Sequence, residues 1–286
     1  LHESVEMLSA EVGPVAKGRT DVVRVSIPEK VRFIASDAFN GCSSLASVSL
    51  PGTLEEIRGG VWGEGAFHGC ASLESITLPG GVTTIGEHAF SGCTSLASVT
   101  LPEGLTTIRA FAFFGCTSLA SITLPAGVTT IGWSAFEGCT SLVSITFPEG
   151  LTTIDSGAFK GCTSLVSITL PEGVTTIGEF AFNECTSLES ITLPEGVTTI
   201  GDWAFEGCTS LASITIPEGV MAIGKCAFQR CTSLDLSTAL GDWPTLVLKL
   251  ASGEEVLVPC SERANVTSTE LDVAGWTNIV SIALPR

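Results

Sequence analysis

Apolar side chains recur along most of this chain in a fixed pattern, and the stretch from Cys93 to Gly115 shows one period of it. From Leu96 to Leu101 apolar and polar residues alternate: Leu96, Val99 and Leu101 against Ser98 and Thr100. Period-two alternation predicts a short strand with Val99 and Leu101 turned inward and the two hydroxyl residues turned outward. Pro102 has no N–H for a ladder and ends that strand. Glu103-Gly104 then turns the chain, and Leu105 to Ile108 is expected to return along the opposite side. Ala112-Phe113, followed by Gly115-Cys116, predicts a short helical or 3₁₀ turn that sinks the phenylalanine into the core.

This unit repeats every 23 residues. Cys70, Cys93, Cys116, Cys139, Cys162, Cys185, Cys208 and Cys231 keep the beat, and so does a phenylalanine row from Phe67 to Phe228. Cys42 comes 28 residues before Cys70, with the extra five in the Gly59–Glu64 region. A single unit has too few buried apolar groups to outweigh the entropy of ordering its backbone, so the copies must stack. Stacking places each Leu, Ile and Phe on its counterpart one strand spacing away, about 4.8 Å. The repeats occupy 20–234. Residues 1–19 read as an N-terminal cap with a short helix from His2 to Val12. Between 235 and 274 the period is lost; there 245–250 and 255–259 read as a hairpin in an island or cap. Residues 275–286 match the strand half of the repeat once more, with Trp276 in the cysteine's place.

Charge narrows the partners. Thirteen Lys and Arg against 30 Asp and Glu give a net charge of −17, which argues against a nucleic-acid ligand and disfavours anionic lipid. The hydrophobic share of 44% is too high for disorder. No run of eighteen apolar residues is present, so no membrane span is expected. The sequence opens at Leu1, which points to a processed or partial product, and compartment is not readable from that end.

The pattern C-x-x-L-x-x-I-x-L-P-x-x-[VL]-x-x-I-x-x-x-A-F resembles the BspA-like (Treponema-type) leucine-rich repeats over about 20–234 and part of 275–285. The resemblance implies a leucine-rich-repeat solenoid of the α/β-horseshoe type, mainly β. Parallel strands would line its concave side, with short 3₁₀ or helical turns opposite. It also implies a place on a cell surface and a role in adhesion or protein binding, with no catalytic residues to carry over. The family often has tyrosine two residues before the phenylalanine. This chain contains no tyrosine, and the position holds Asp37, Gly65, His88, Phe111, Ser134, Gly157, Phe180, Trp203 and Cys226.

Candidate chemistry is sparse. Nine cysteines fall on the ladder, where parallel rungs keep their Cβ atoms about 4.8 Å apart, beyond the 3.5–4.5 Å a disulfide needs. They are expected to be buried thiols that fill space. Cys226 and Cys260 lie off the ladder and are the candidates for pairing or reactivity. No C-x₂-C or H-x₃-H spacing supports a metal site, and no histidine sits where a triad would need it. No cofactor is expected.

Two surfaces remain as candidates for interaction. Two hydroxyl files run along the concave strands: Ser98/Thr100, Ser121/Thr123, Ser144/Thr146, Ser167/Thr169 and Ser190/Thr192, continued by their neighbours. Small β-prone residues suit such a face without any ligand, and the files are monotonous. Trp62, Phe111, Trp133, Phe180 and Trp203 form the second surface, near the Ala-Phe turn, where exposed aromatics mark interfaces or fill gaps between rungs. A row of Glu103, Glu149, Glu172, Glu195 and Glu218 offers weak Ca²⁺ bridging. Asn265-Val266-Thr267 is a glycosylation sequon.

The expectation is therefore a non-catalytic interaction module that presents an extended surface to a protein or glycan, at a cell surface or secreted. The alternative is an accessory subunit docked in a larger assembly inside a cell or organelle, which suits buried reduced thiols. An ice- or Ca²⁺-binding repeat surface is a minor alternative, and an enzyme lacks any acid–base or nucleophile constellation.

Overall fold

The computed structural model describes residues 11–13, 16–60 and 63–234, with the backbone of the strands Thr245–Leu250, Glu255–Pro259 and Ile279–Ala283. Trp62, Cys260, the sequon at Asn265 and residues 1–10 lie outside the described residues. The chain forms two compact units, 1–148 and 149–286.

In both units every repeat is one coil of a parallel β-solenoid, with two short strands per coil. A three-residue strand carries the Ser-x-Thr segment, and a two-residue strand ends at an isoleucine that recurs from coil to coil, as in Ser98–Thr100 and Thr107–Ile108. In the first unit the two-residue strands form one parallel sheet from Glu11–Val12 through Phe33–Ile34, Glu56–Ile57, Thr84–Ile85 and Thr107–Ile108 to Thr130–Ile131. Glu11–Val12, the described end of the segment expected to be helical, is thus a strand on Phe33–Ile34. Its short extended run completes the ladder next to the first coil.

The three-residue strands of the first unit pair in parallel and in register, Ser75–Thr77 on Ser98–Thr100 and Ser121–Thr123 on Ser144–Thr146. In the second unit Ser167–Thr169, Ser190–Thr192 and Ser213–Thr215 form one parallel sheet. The two-residue strands Thr153–Ile154, Thr176–Ile177, Thr199–Ile200 and Ala222–Ile223 form another. At Ala222–Ile223 the direction changes. Ile279–Ala283 pairs with it antiparallel, Thr245–Leu250 pairs with Ile279–Ala283, and Glu255–Pro259 pairs with Thr245–Leu250.

The repeat turns contain no helix among the described residues, so the expected helical turns are not found there. The reason lies in where alternate amides point. In the turn after Ile108, the N–H groups of Ala112, Phe114 and Cys116 reach back three residues to the carbonyls of Arg109, Phe111 and Phe113. Those of Phe111, Phe113 and Gly115 donate instead to Trp133, Ala135 and Glu137 of the next coil, each at 2.8 Å. A helix would need every amide directed along one axis. Here half of them knit neighbouring coils together, and this requires left-handed backbone at Phe111 (φ 56°) and Gly115 (φ 68°).

The core is a set of one-residue ladders. Phe39, Phe67, Phe90, Phe113 and Phe136 stack at 5.2–5.4 Å between ring centres in the first unit. Phe159, Phe182, Phe205 and Phe228 do so at 5.4–5.5 Å in the second. Such offset stacking adds to the burial of each ring. Leucine, isoleucine and alanine rows around them are almost fully buried.

Candidate functional site

The cysteine ladder sits inside the coils. Cys42, Cys70, Cys93, Cys116, Cys139, Cys185, Cys208 and Cys231 are thiols. Each S–H points at a backbone carbonyl of the preceding coil: Cys93 at Phe67 (3.1 Å), Cys116 at Phe90 (3.2 Å), Cys139 at Phe113 (3.3 Å). The Phe113 carbonyl accepts from Cys116 N–H and Cys139 S–H together, which uses both of its lone pairs. Burial, by penalising the thiolate, pushes Cys93 and Cys139 up to about 12. A thiol so protonated and enclosed is neither a nucleophile nor a metal ligand at neutral pH. Among the described residues no group of three or more His, Cys, Asp or Glu is placed to hold a metal ion.

The hydroxyl files lie where alternation put them. Ser98, Thr100, Ser121, Thr123, Ser144 and Thr146 of the first unit are exposed, as are Ser167, Thr169, Ser190 and Thr192 of the second. Sequence reasoning did not separate these hydroxyls from the other threonine rows, and the structure does. Thr94, Thr117 and Thr140 donate their hydroxyls to carbonyls one coil back, as Thr117 does to Thr94 at 3.2 Å. Thr106 and Thr198, each just before a two-residue strand, do the same. None of the Ser-x-Thr hydroxyls has a hydrogen-bond partner among the described residues. Their capacity is turned wholly to the outside. This face is also nearly uncharged. The residue before each serine is Glu74, Ala97, Ala120 and Val143 in the first unit, and Val166, Glu189 and Ala212 in the second.

The turn edge differs in kind. In the first unit His88 stacks on Phe111 at 4.6 Å, and Phe111 meets Trp133 at 5.1 Å and Phe114 edge-on at 5.9 Å. Trp133 is the most open of these, 54% exposed. His68 lies edge-on to His88 at 6.3 Å, and burial holds both imidazoles below their ordinary pKa. Their Nδ1 atoms are buried without a partner. Gly65 fits this edge because a Cβ there would run into the His88 carbonyl. In the second unit Phe180 and Trp203 stack at 5.0 Å, nearly parallel. Lys160 lies 5.8 Å from the Phe180 ring and Lys225 5.7 Å from that of Trp203. The structure thus groups Phe111 with Trp133 and Phe180 with Trp203. The two lysines were not foreseen, since their place on the rings depends on how the turn winds.

Left-handed backbone marks this edge. His88, Phe111, Ser134, Phe180, Trp203 and Cys226 have φ between 50° and 56°, all at the position where the repeat varies most. A second left-handed position is glycine in most coils, but Glu184 (φ 56°) and Arg230 (φ 61°) in two. A side chain there costs roughly 1–2 kcal/mol, which the coil-to-coil amide bonds and ring stacks offset.

Comparison with known proteins accords with this architecture. The family model for the BspA type leucine-rich repeat region matches residues 17–113, 61–165 and 152–239. A comparison with curated proteins found no match. Among solved structures the chain is similar to a leucine-rich cell surface protein from Faecalibacterium prausnitzii, at 33% identity and a TM-score of 0.52. That likeness covers 76% of this chain and 67% of that one. A leucine-rich repeat protein from Eubacterium ventriosum matches at 25% identity and a TM-score of 0.59, over 73% of this chain and 59% of that one. The pneumococcal vaccine antigen PcpA shares the fold at 24% identity and a TM-score of 0.50, over 74% of this chain and 60% of its own. The 23-residue period, the Cys, Pro and Ala-Phe anchors and the parallel coils they build make this chain a member of the BspA-type leucine-rich repeat family.

Proposed function

We propose that the chain is a non-catalytic interaction module that adheres to a protein or glycan partner through its Ser-x-Thr strand face, at a cell surface or secreted. The observation that carries this reading is the contrast among hydroxyls. Those of the other threonine rows bond to the coil behind, while those of the strand face are exposed and bond to nothing in the described protein. A rigid array of outward donors and acceptors loses little entropy on binding. The cell-surface description of the Faecalibacterium relative supports the location.

The test is solid-phase binding of the intact chain to a panel of extracellular-matrix proteins and glycans. Alongside runs a variant carrying Ser121→Lys, Thr123→Lys and Ser144→Lys. Binding by the parent that the variant loses, with an unchanged melting temperature, is the expected result. Equal binding by both, or none by either, removes the strand face from the function. A second reading, an accessory subunit of an intracellular assembly, draws on the ladder of protonated thiols, which suits a reducing compartment. Co-fractionation of the chain with other subunits in a native extract would favour it.

A further inference from the structure

We infer that the turn edge of the second unit docks a basic, lysine- and arginine-bearing segment of a partner protein, with Glu179, Glu184, Asp202 and Glu206 as its counter-charges and the Phe180–Trp203 stack as its platform. This inference rests on the interaction-module reading and names the partner's chemistry for a surface that reading does not use. Three observations lead to it. First, charge is concentrated here. Residues 149–234 carry ten carboxylates against three cations, Lys160, Lys225 and Arg230. Four of the ten fall in two consecutive turns, 179–184 and 202–207, while the strand face within 149–234 holds only Glu189. Glu179 and Glu184 are exposed and have no ion pair among the described residues.

Second, the rings already take cations. Lys160 and Lys225 rest on the outer sides of the Phe180–Trp203 pair at 5.8 and 5.7 Å. Arginine guanidinium competes well for such positions, because it stacks flat on a ring and is more weakly hydrated than ammonium. An incoming arginine can therefore compete with Lys225 for the Trp203 face, where the ammonium lies 5.7 Å from the ring. Third, the fold holds these side chains out at a cost. Phe180, Trp203 and Glu184 occupy left-handed backbone. At the two corresponding positions other coils of this unit have Gly157, Gly161 and Gly207, which fit that conformation without strain, and the last described coil has Cys226 and Arg230. Backbone strain of this kind collects at binding sites.

The experiment uses the whole chain and fluorescently labelled oligo-arginine and oligo-lysine peptides, titrated at low and high salt. One variant carries Glu179→Gln, Glu184→Gln, Asp202→Asn and Glu206→Gln. A control carries Glu172→Gln, Glu189→Gln, Glu195→Gln and Glu218→Gln, the same change in net charge placed off the edge. The expected result is salt-sensitive binding, tighter for oligo-arginine, that falls about tenfold or more in the edge variant and much less in the control. Equal weakening in both variants would mean that the acidic body attracts the peptide without a site, and overturns the inference. So does absence of peptide binding at low salt. Should the edge variant fail to fold, Lys225→Ala is compared with Arg230→Gln. Each removes one positive charge, and only the first clears a ring, so tighter binding by Lys225→Ala alone supports the site and equal effects sink it. The strand-face triple variant keeps peptide binding if the edge is the site, so the two proposals fail separately.

Discussion

The strand face and the turn edge are read by the same coils yet follow opposite rules. On the strand face each copy from Ser75 to Thr215 repeats Ser-x-Thr, the backbone is regular and parallel, and the side chains are small and neutral. On the turn edge the residue changes from coil to coil, the backbone is left-handed, and rings and charges crowd together. The difference teaches where this fold tolerates variation. A strand position passes its geometry to the next rung, so a change there disturbs a ladder. The variable turn residue spends only its amide on the neighbouring coil, as Phe111 does on Trp133, and its side chain is left to diverge.

What both surfaces share is the interior, and the largest effects are expected there. Cys93 and Cys139 are pushed up to about 12 by burial, against an ordinary value of 9.0. The unfolded chain therefore loses these protons first as pH rises. The stability they contribute is whole below pH 9 and is lost between that value and about 12. At one unit above the ordinary value each fully buried thiol subtracts about 1.4 kcal/mol, and several such thiols sum to a collapse in stability. Urea titrations under reducing conditions across that window should show it. A flat profile would place the thiols in contact with solvent.

Phe113→Ala comes next, at about 3–5 kcal/mol, since the ring is fully buried and stacked on Phe90 and Phe136. The same substitution at half-buried Phe111, on the turn edge two residues earlier, should cost well under half as much, because one face of the loss is compensated by solvent. Denaturant midpoints for the pair measure the comparison directly. Equal costs would mean that the turn edge is part of the core.

Much of this was legible beforehand, for physical reasons. Alternation placed Val99 inside and Ser98 and Thr100 outside, because a strand has no other way to arrange them. The 23-residue beat of Cys and Phe fixed the stacked core, and the rung spacing argued for thiols rather than disulfides. The left-handed turns were not legible as such. Their signal was present: glycine recurs two residues after Phe39, Phe67, Phe90, Phe113, Phe136, Phe159 and Phe205. The alternation of short-range and coil-to-coil amide bonds that it serves has no sequence period of its own, and so a 3₁₀ or helical turn was expected. Lys160 and Lys225 occupy different repeat positions, one after its phenylalanine and one two residues before Ala227. Only the winding of the turn brings them to the same ring stack.

The left-handed positions give a smaller and more discriminating test. Glu184→Gly puts the residue of most other coils at φ 56° and should raise stability by about 1 kcal/mol. Gly161→Glu should lower it by about 1–2 kcal/mol. If Glu184→Gly also weakens peptide binding, one residue shows strain and recognition in opposition. A loss of stability in Glu184→Gly would mean that the carboxylate makes a favourable contact that outweighs its backbone.

The smallest effect separates the hydroxyl rows. Thr117→Val keeps shape but removes a hydroxyl donated to the Thr94 carbonyl at 3.2 Å. It should cost about 0.5–1 kcal/mol, the net worth of an exposed hydrogen bond. Thr123→Val removes a hydroxyl that bonds to nothing in the described protein, from a strand position where a β-branched residue fits equally well. Its stability should stay within about 0.5 kcal/mol of the parent, while adhesion through the strand face falls. The opposite ranking in thermal melts would mean that the strand-face hydroxyls serve the fold, and that the array evolved for the solenoid rather than for a partner.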